Sequence, residues 1–177
     1  MTPVQPGSTE LAGMTARVAE FAGSEMFRRL FREGMDLVEE TAAYLDGPGR
    51  EDAKRLGRAG ALSYAAESMT LTTQLMQSAS WLLTQRAVAE GDMTPEEAAE
   101  ERYRLNPGAR KDAHWPADDE PCPARLADLA TRSEALYRRL ARLDAELFDG
   151  TAEPADPEAN PVARQLSALE SAFGAQG

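Results

Sequence analysis

The stretch YAAESMTLTTQLMQSASWLLTQ, Tyr64 to Gln85, holds one charged residue, Glu67, in a chain that is 28% charged. Two seams at heptad spacing run along it. One is Leu62, Ala66, Met69, Thr73, Met76, Ser80, Leu83 and Ala87; the other, one position earlier, is Ala61, Ala65, Ser68, Thr72, Leu75, Ala79 and Leu82. One apolar stripe packs a helix on one side, so two stripes predict a central helix flanked by two neighbours. A third face remains: Ser63, Glu67, Thr70, Gln74, Gln77, Trp81 and Val88. It is polar, nearly uncharged and carries a large aromatic, the composition of an interface core. Glu67, Thr70, Gln74, Gln77 and Trp81 are therefore predicted as a dimer or partner face. The competing reading folds Trp81 over the end of the bundle and leaves the Thr/Gln face wet.

The flanking sequence supplies the neighbours. Ser24 is a good N-cap, and Phe27, Leu30, Phe31, Gly34, Val38, Thr41 and Leu45 form one helical stripe, predicting a helix over 24–46 that Asp-Gly-Pro-Gly terminates. The central helix is predicted over 50–90, about 60 Å long at 1.5 Å per residue, with Gly57 and Gly60 as points of bending. Thr-Pro-Glu-Glu from Thr94 is a capping box that opens a short helix over 94–105, and a Pro- and Asp-rich loop follows over 106–123. Leu126, Leu129, Ser133, Leu136, Leu140, Leu143 and Leu147 give a coiled-coil-like seam over 124–148. Residues 1–23 are expected to fray, and residues 151–177 to form a flexible tail. In that tail Val162, Leu166, Leu169 and Phe173 line one face of a short amphipathic helix over 162–173, a tethered recognition element that docks on its own bundle or folds on a partner. The predicted fold is all-α: an elongated antiparallel three-helix bundle over 24–150, with one long central helix, a short extra helix and a flexible C-terminal tail.

The net charge of −11 argues against nucleic acid, whose phosphates are met by Lys and Arg, and against anionic membrane surfaces. The central helix has too many Ser, Thr and Gln residues to span hydrocarbon. The N-terminus lacks a basic stretch followed by an apolar run, so no signal peptide is predicted. Cys122 is the only cysteine, compatible with a reducing cytoplasm.

Each candidate for chemistry meets a simpler explanation. His114 is the only histidine, and with Cys122 it makes half of a metal site. Glu39, Glu40 and Glu67 could offer a carboxylate pair, but Glu39 and Glu40 face solvent on their helix, and the hydroxyls from Thr70 to Thr73 have no histidine to act as base. An enzyme using an Arg-lined cleft would need Arg28, Arg29 and Arg138 buried. No catalytic residue, cofactor or metal is predicted.

Two blocks carry a resemblance: Phe31–Arg50, FREGMDLVEETAAYLDGPGR, and Tyr64–Thr94, YAAESMTLTTQLMQSASWLLTQRAVAEGDMT. With a weaker match around Leu136–Asp144, LYRRLARLD, they resemble the RcdA family of bacterial protease adaptors, over roughly residues 21–148. The resemblance implies a dimeric three-helix bundle with a poorly ordered tail. It further implies a non-enzymatic adaptor in the bacterial cytoplasm that tethers regulatory cargo, such as a cell-cycle response regulator, to the ClpXP protease. The partners so implied are a ClpX-type unfoldase or its priming factor, response-regulator-like cargo or a secondary adaptor, and a second copy of the chain. The alternative is a dimeric protein-interaction module in cell-cycle signalling that delivers nothing to a protease.

Overall fold

A computed structural model describes residues 6–105, 115 and 120–150, with side chains described from residue 9 onward. Among the described residues there are six α-helices, one short 3₁₀ helix and no strand. The helices are α1 (Pro6–Ala22), α2 (Glu25–Asp46), α3 (Pro48–Arg55), α4 (Arg58–Glu90), α5 (Pro95–Ala98) and α6 (Ala124–Phe148), with the 3₁₀ helix over Glu101–Tyr103.

Local chemistry sets the boundaries. Ser24 is extended, and its hydroxyl accepts the Phe27 N–H at 3.1 Å, capping α2. Gly91 closes α4 at φ +79°, a left-handed conformation that favours glycine. Thr94 and Glu97 form the reciprocal capping box that their spacing predicts. The expected helix over 50–90 is in fact two, because Leu56 and Gly57 adopt extended backbone between α3 and α4. Gly57 donates its N–H to Glu120 Oε1 at 2.7 Å instead of to a helical carbonyl. The expected helix over 94–105 is likewise only the single turn α5 followed by the 3₁₀ helix.

The segment expected to fray at the N-terminus is α1. Its Met14, Val18, Phe21 and Ala22 are buried, and the Phe21 ring lies 5.5 Å from Phe27 and 6.0 Å from Trp81. Burial of those side chains outweighs the weak helix propensity of a Gly- and Thr-containing segment.

Directions differ from the predicted antiparallel arrangement. α2 does run against α4: Gly34 lies so close to Leu82 that a Cβ would overlap it, and Phe31 sits beneath Arg86. α6 runs the same way as α4, since Ser133 bonds Gln74 while Asp144 bonds Trp81. Glu120, four residues before α6, consequently sits against Gly57 and Gly60 at the start of α4. The core is shared by α1, α2, α4 and α6.

α4 is also rotated relative to expectation. Its buried face is centred on Ser78 and includes Leu71, Leu75, Trp81, Leu82 and Gln85. The heptad seam through Met69 and Met76, expected to pack, is exposed instead. α4 is nearly uncharged around its circumference, with no single apolar stripe, and the face that holds Trp81, Leu71, Leu75 and Leu82 goes inward.

Candidate functional site

Of the five residues predicted as a partner face, Trp81 is removed by its burial. It is 1% exposed, and its indole N–H donates to Asp144 Oδ1 at 2.8 Å. Asp144 Oδ2 accepts from Arg104 Nε at 2.8 Å, and the same guanidinium reaches Asp149 at 2.8 Å and stacks 4.6 Å from the Phe148 ring centroid. Burial pushes the Asp144 carboxyl upward, against the bonds from Arg104 and Trp81 that favour its charge. This cluster ties the segment after α5 to the end of α6.

Three of the other four turn partly inward. Gln74 is half-buried and accepts the Ser133 hydroxyl at 3.0 Å. Glu67 is half-buried, its carboxyl raised by desolvation and, secondarily, by the charge of Glu134. The Thr70 hydroxyl bonds back to the Ala66 carbonyl at 3.0 Å. Gln77 alone is exposed. These residues form the edge of the α4–α6 contact rather than a free face.

The free face lies on the other side of the helix. Leu62, Met69, Met76 and Leu83 are 74%, 72%, 67% and 52% exposed. Their spacing is a heptad, and Met76 is two residues, about 200°, from Ser78 at the centre of the buried side. Ala65, Ala66, Thr72, Thr73 and Ser80 fill the surface between them, all exposed and all uncharged. The stripe covers about 30 Å of helix. Beside it, between α2 and α4, a groove of about 300 Å³ is lined by Val38, Ala42, Leu45, Leu75, Met76 and Ala79. The buried Thr41 hydroxyl on its wall has no hydrogen-bond partner among the described residues.

The contrast with the α2–α6 seam is chemical. There Glu40 pairs with Arg125 and Arg132, and Glu33 with Arg139, so charged side chains close the seam. On α4 a row of long apolar side chains stands next to an apolar groove. Large exposed apolar patches on soluble chains mark binding sites.

A family model described as a protein of unknown function, DUF1465, matches residues 18–173. RcdA from Caulobacter crescentus, solved as a crystal structure, is 52% identical; the match covers 75% of this chain and 99% of that chain, at a TM-score of 0.63. The chain belongs to the RcdA family. No curated protein matches it.

Among the described residues no cluster of three or more His, Cys, Asp or Glu is placed to hold a metal, and no helix is long and apolar enough to cross a membrane. Cys122 is half-buried, and desolvation followed by the charge of Glu67 raises its thiol, the opposite of activation. Arg28, Arg29 and Arg138 are 65%, 75% and 64% exposed, so they line no buried cleft. His114 and the tail residues Val162, Leu166, Leu169 and Phe173 lie outside the described residues, although the family match reaches 173.

Sequence reasoning missed the Leu62/Met69/Met76/Leu83 stripe as a surface because it was read as a packing seam. Its four large residues at strict sevens were the available signal.

Proposed function

We propose that this RcdA-family chain is a non-enzymatic adaptor of the bacterial cytoplasm that brings regulatory cargo to a ClpXP-type protease. The observation that carries the reading is the uncharged heptad stripe on α4, exposed on a chain whose kinship is to RcdA. An adaptor of this kind does no chemistry. It raises the local concentration of cargo at the unfoldase to about the millimolar range, which needs contact surfaces alone.

The stripe suits that task. Methionine side chains repack against differently shaped partners, so Met69 and Met76 provide contact that is apolar without being rigid. It also suits a homodimer: an isologous interface needs protrusion and recess on one patch, and Met76 stands at the edge of the apolar groove. Gln77, exposed and next in sequence to Met76, gives this face a polar margin, while Glu67, Thr70 and Gln74 lie at the α4–α6 edge and Trp81 is buried. The tail stripe of Val162, Leu166, Leu169 and Phe173 acts as a second, tethered recognition element.

A crosslinked affinity pull-down from the native cytoplasm tests the reading. Recovery of the unfoldase or peptidase together with response-regulator proteins is the expected result. Recovery of regulators with no protease component would instead make the chain an interaction module in cell-cycle signalling.

A further inference from the structure

At the far end of the α2–α4 groove, one turn past Leu83, lies a second recess of different chemistry. It has a volume of about 620 Å³, within the range of ligand sites. Its floor is aromatic: the rings of Phe27 and Phe31 lie 6.0 Å apart, and Phe31 is only half-buried. Its rim is cationic. Arg28 and Arg32 rise from α2, and Arg86 from α4 lies over the Phe31 ring, 5.2 Å from its centroid, with Glu25 and Glu90 beside them.

The charges on that rim are not balanced. Glu25 is shared by three guanidiniums, at 3.0 Å from Arg28 and 3.7 Å from both Arg29 and Arg32. Glu90 takes Arg86 at 2.8 Å. Three arginines of the rim thus meet two carboxylates, Glu25 being drawn on by Arg29 as well, so the rim is net cationic on a chain whose net charge is −11. The C-terminal half of α2 is the reverse, carrying Asp36, Glu39, Glu40 and Asp46 with no base in its last turn. This ordering opposes the helix dipole, which favours acids early and bases late. Pairing with Glu25 at i, i+3 and i, i+4 spacing gives a local reason for Arg28 and Arg29, but none for Arg32 and Arg86 facing the same recess. Exposed ion pairs contribute little and exchange partners easily, so these guanidiniums are available to an incoming carboxylate.

We infer that the Phe27/Phe31 recess with its Arg28, Arg32 and Arg86 rim docks an acidic segment of a partner protein, one that carries a bulky apolar side chain next to its carboxylates. The apolar side chain lies on Phe31, and the carboxylates bridge Arg32 and Arg86, replacing the shared attention of Glu25. Arg is suited to this by its planar, bidentate donors and its tolerance of aromatic contact. The inference does not depend on protease delivery: a signalling partner would be held by the same contacts.

The test is a selection of randomised short displayed peptides on the full-length protein. The expected winners combine Asp or Glu with Phe, Leu or Trp, and shift the amide resonances of Phe31, Arg32 and Arg86. Their affinity falls about tenfold on R32E or R86E, the scale of one lost charge-assisted contact. Exchanging the peptide's acids for lysines restores binding to R32E, a rescue that simple unfolding cannot produce. Winners without acids, winners indifferent to both substitutions, or an absence of winners would each overturn the proposal. So would displacement of the winners from the recess by a synthetic peptide of residues 151–177, which would give the site to the chain's own tail.

Discussion

The indole of Trp81 on α4 donates to the carboxylate of Asp144 on α6 at 2.8 Å, with both side chains almost wholly buried. This bond fixes the rotation of α4: it places Trp81 toward α6, and the Met69–Met76 side of the same helix toward solvent. A Trp81→Phe change removes the donor and some volume. It is expected to cost about 2 kcal/mol, the scale of a hydrogen bond to a charged group, in urea denaturation. Trp81→Glu, which a dimer-face assignment would make a folded monomer, is expected to lose helicity by circular dichroism, because it buries a second carboxylate beside Asp144.

Arg104 is the charge partner of Asp144, at 20% and 4% side-chain exposure. Arg104→Met strands the carboxylate and is expected to lower stability by about 3 kcal/mol, the low end for breaking a buried pair. Stranded, Asp144 has a still higher folded-state value, so the loss should shrink as the pH is lowered and Asp144 takes up a proton. A loss that stayed constant with pH would show that Arg104 acts by packing on Phe148 instead.

Gln85 is fully buried, and neither its amide nitrogen nor its oxygen has a partner among the described residues. Gln85→Met keeps the length and removes the desolvated polar atoms. It should raise stability by about 1 kcal/mol, visible as a higher melting temperature.

Glu67 and Glu40 should respond to pH with opposite signs. Burial raises the Glu67 carboxyl above its ordinary range, and bonding to Arg132 lowers that of Glu40. For Glu67 the folded value exceeds the unfolded one, so its cost is absent in acid and builds as pH rises through the folded value. For Glu40 the stabilisation is present above the unfolded value and lost as pH falls through the folded one. Glu67→Gln should therefore stabilise the chain at neutral pH and Glu40→Gln destabilise it, both effects vanishing in acid. Melting temperatures across a pH series check the two signs together.

Much of this fold was legible in the sequence, and the exceptions share a cause. α2 and α6 each carry one apolar stripe, so their existence and limits follow from periodicity, although on α2 Leu37 and Tyr44 are buried where Val38 and Leu45 were expected to be. α4 is nearly uncharged around its circumference, with apolar residues on more than one face, so periodicity identified a central helix but could not rank its faces. The volume of Trp81, Leu71, Leu75 and Leu82, and the waiting carboxylate of Asp144, decided it. α1 was missed because its buried Met14, Val18 and Phe21 sit among Gly, Ala and Thr, with burial rather than propensity making it helical. The parallel course of α6 depends on contacts such as Gly57 with Glu120, sixty-three residues apart in the chain, which no local pattern encodes. An uncharged face of the central helix was expected to be free, but for the same reason the side that holds Trp81 turned inward and the Met69–Met76 side outward.

The most direct measurement is the rate of cargo degradation by reconstituted unfoldase, peptidase and priming factor, with the wild-type chain or with M69K/M76K. Both substituted side chains are exposed, so helicity and melting temperature should be unchanged. The account predicts that the wild-type chain accelerates degradation and that the double substitution abolishes the acceleration. Full acceleration by the substituted chain would contradict the assignment of the α4 stripe as the working surface, and no acceleration by either would contradict the adaptor role itself.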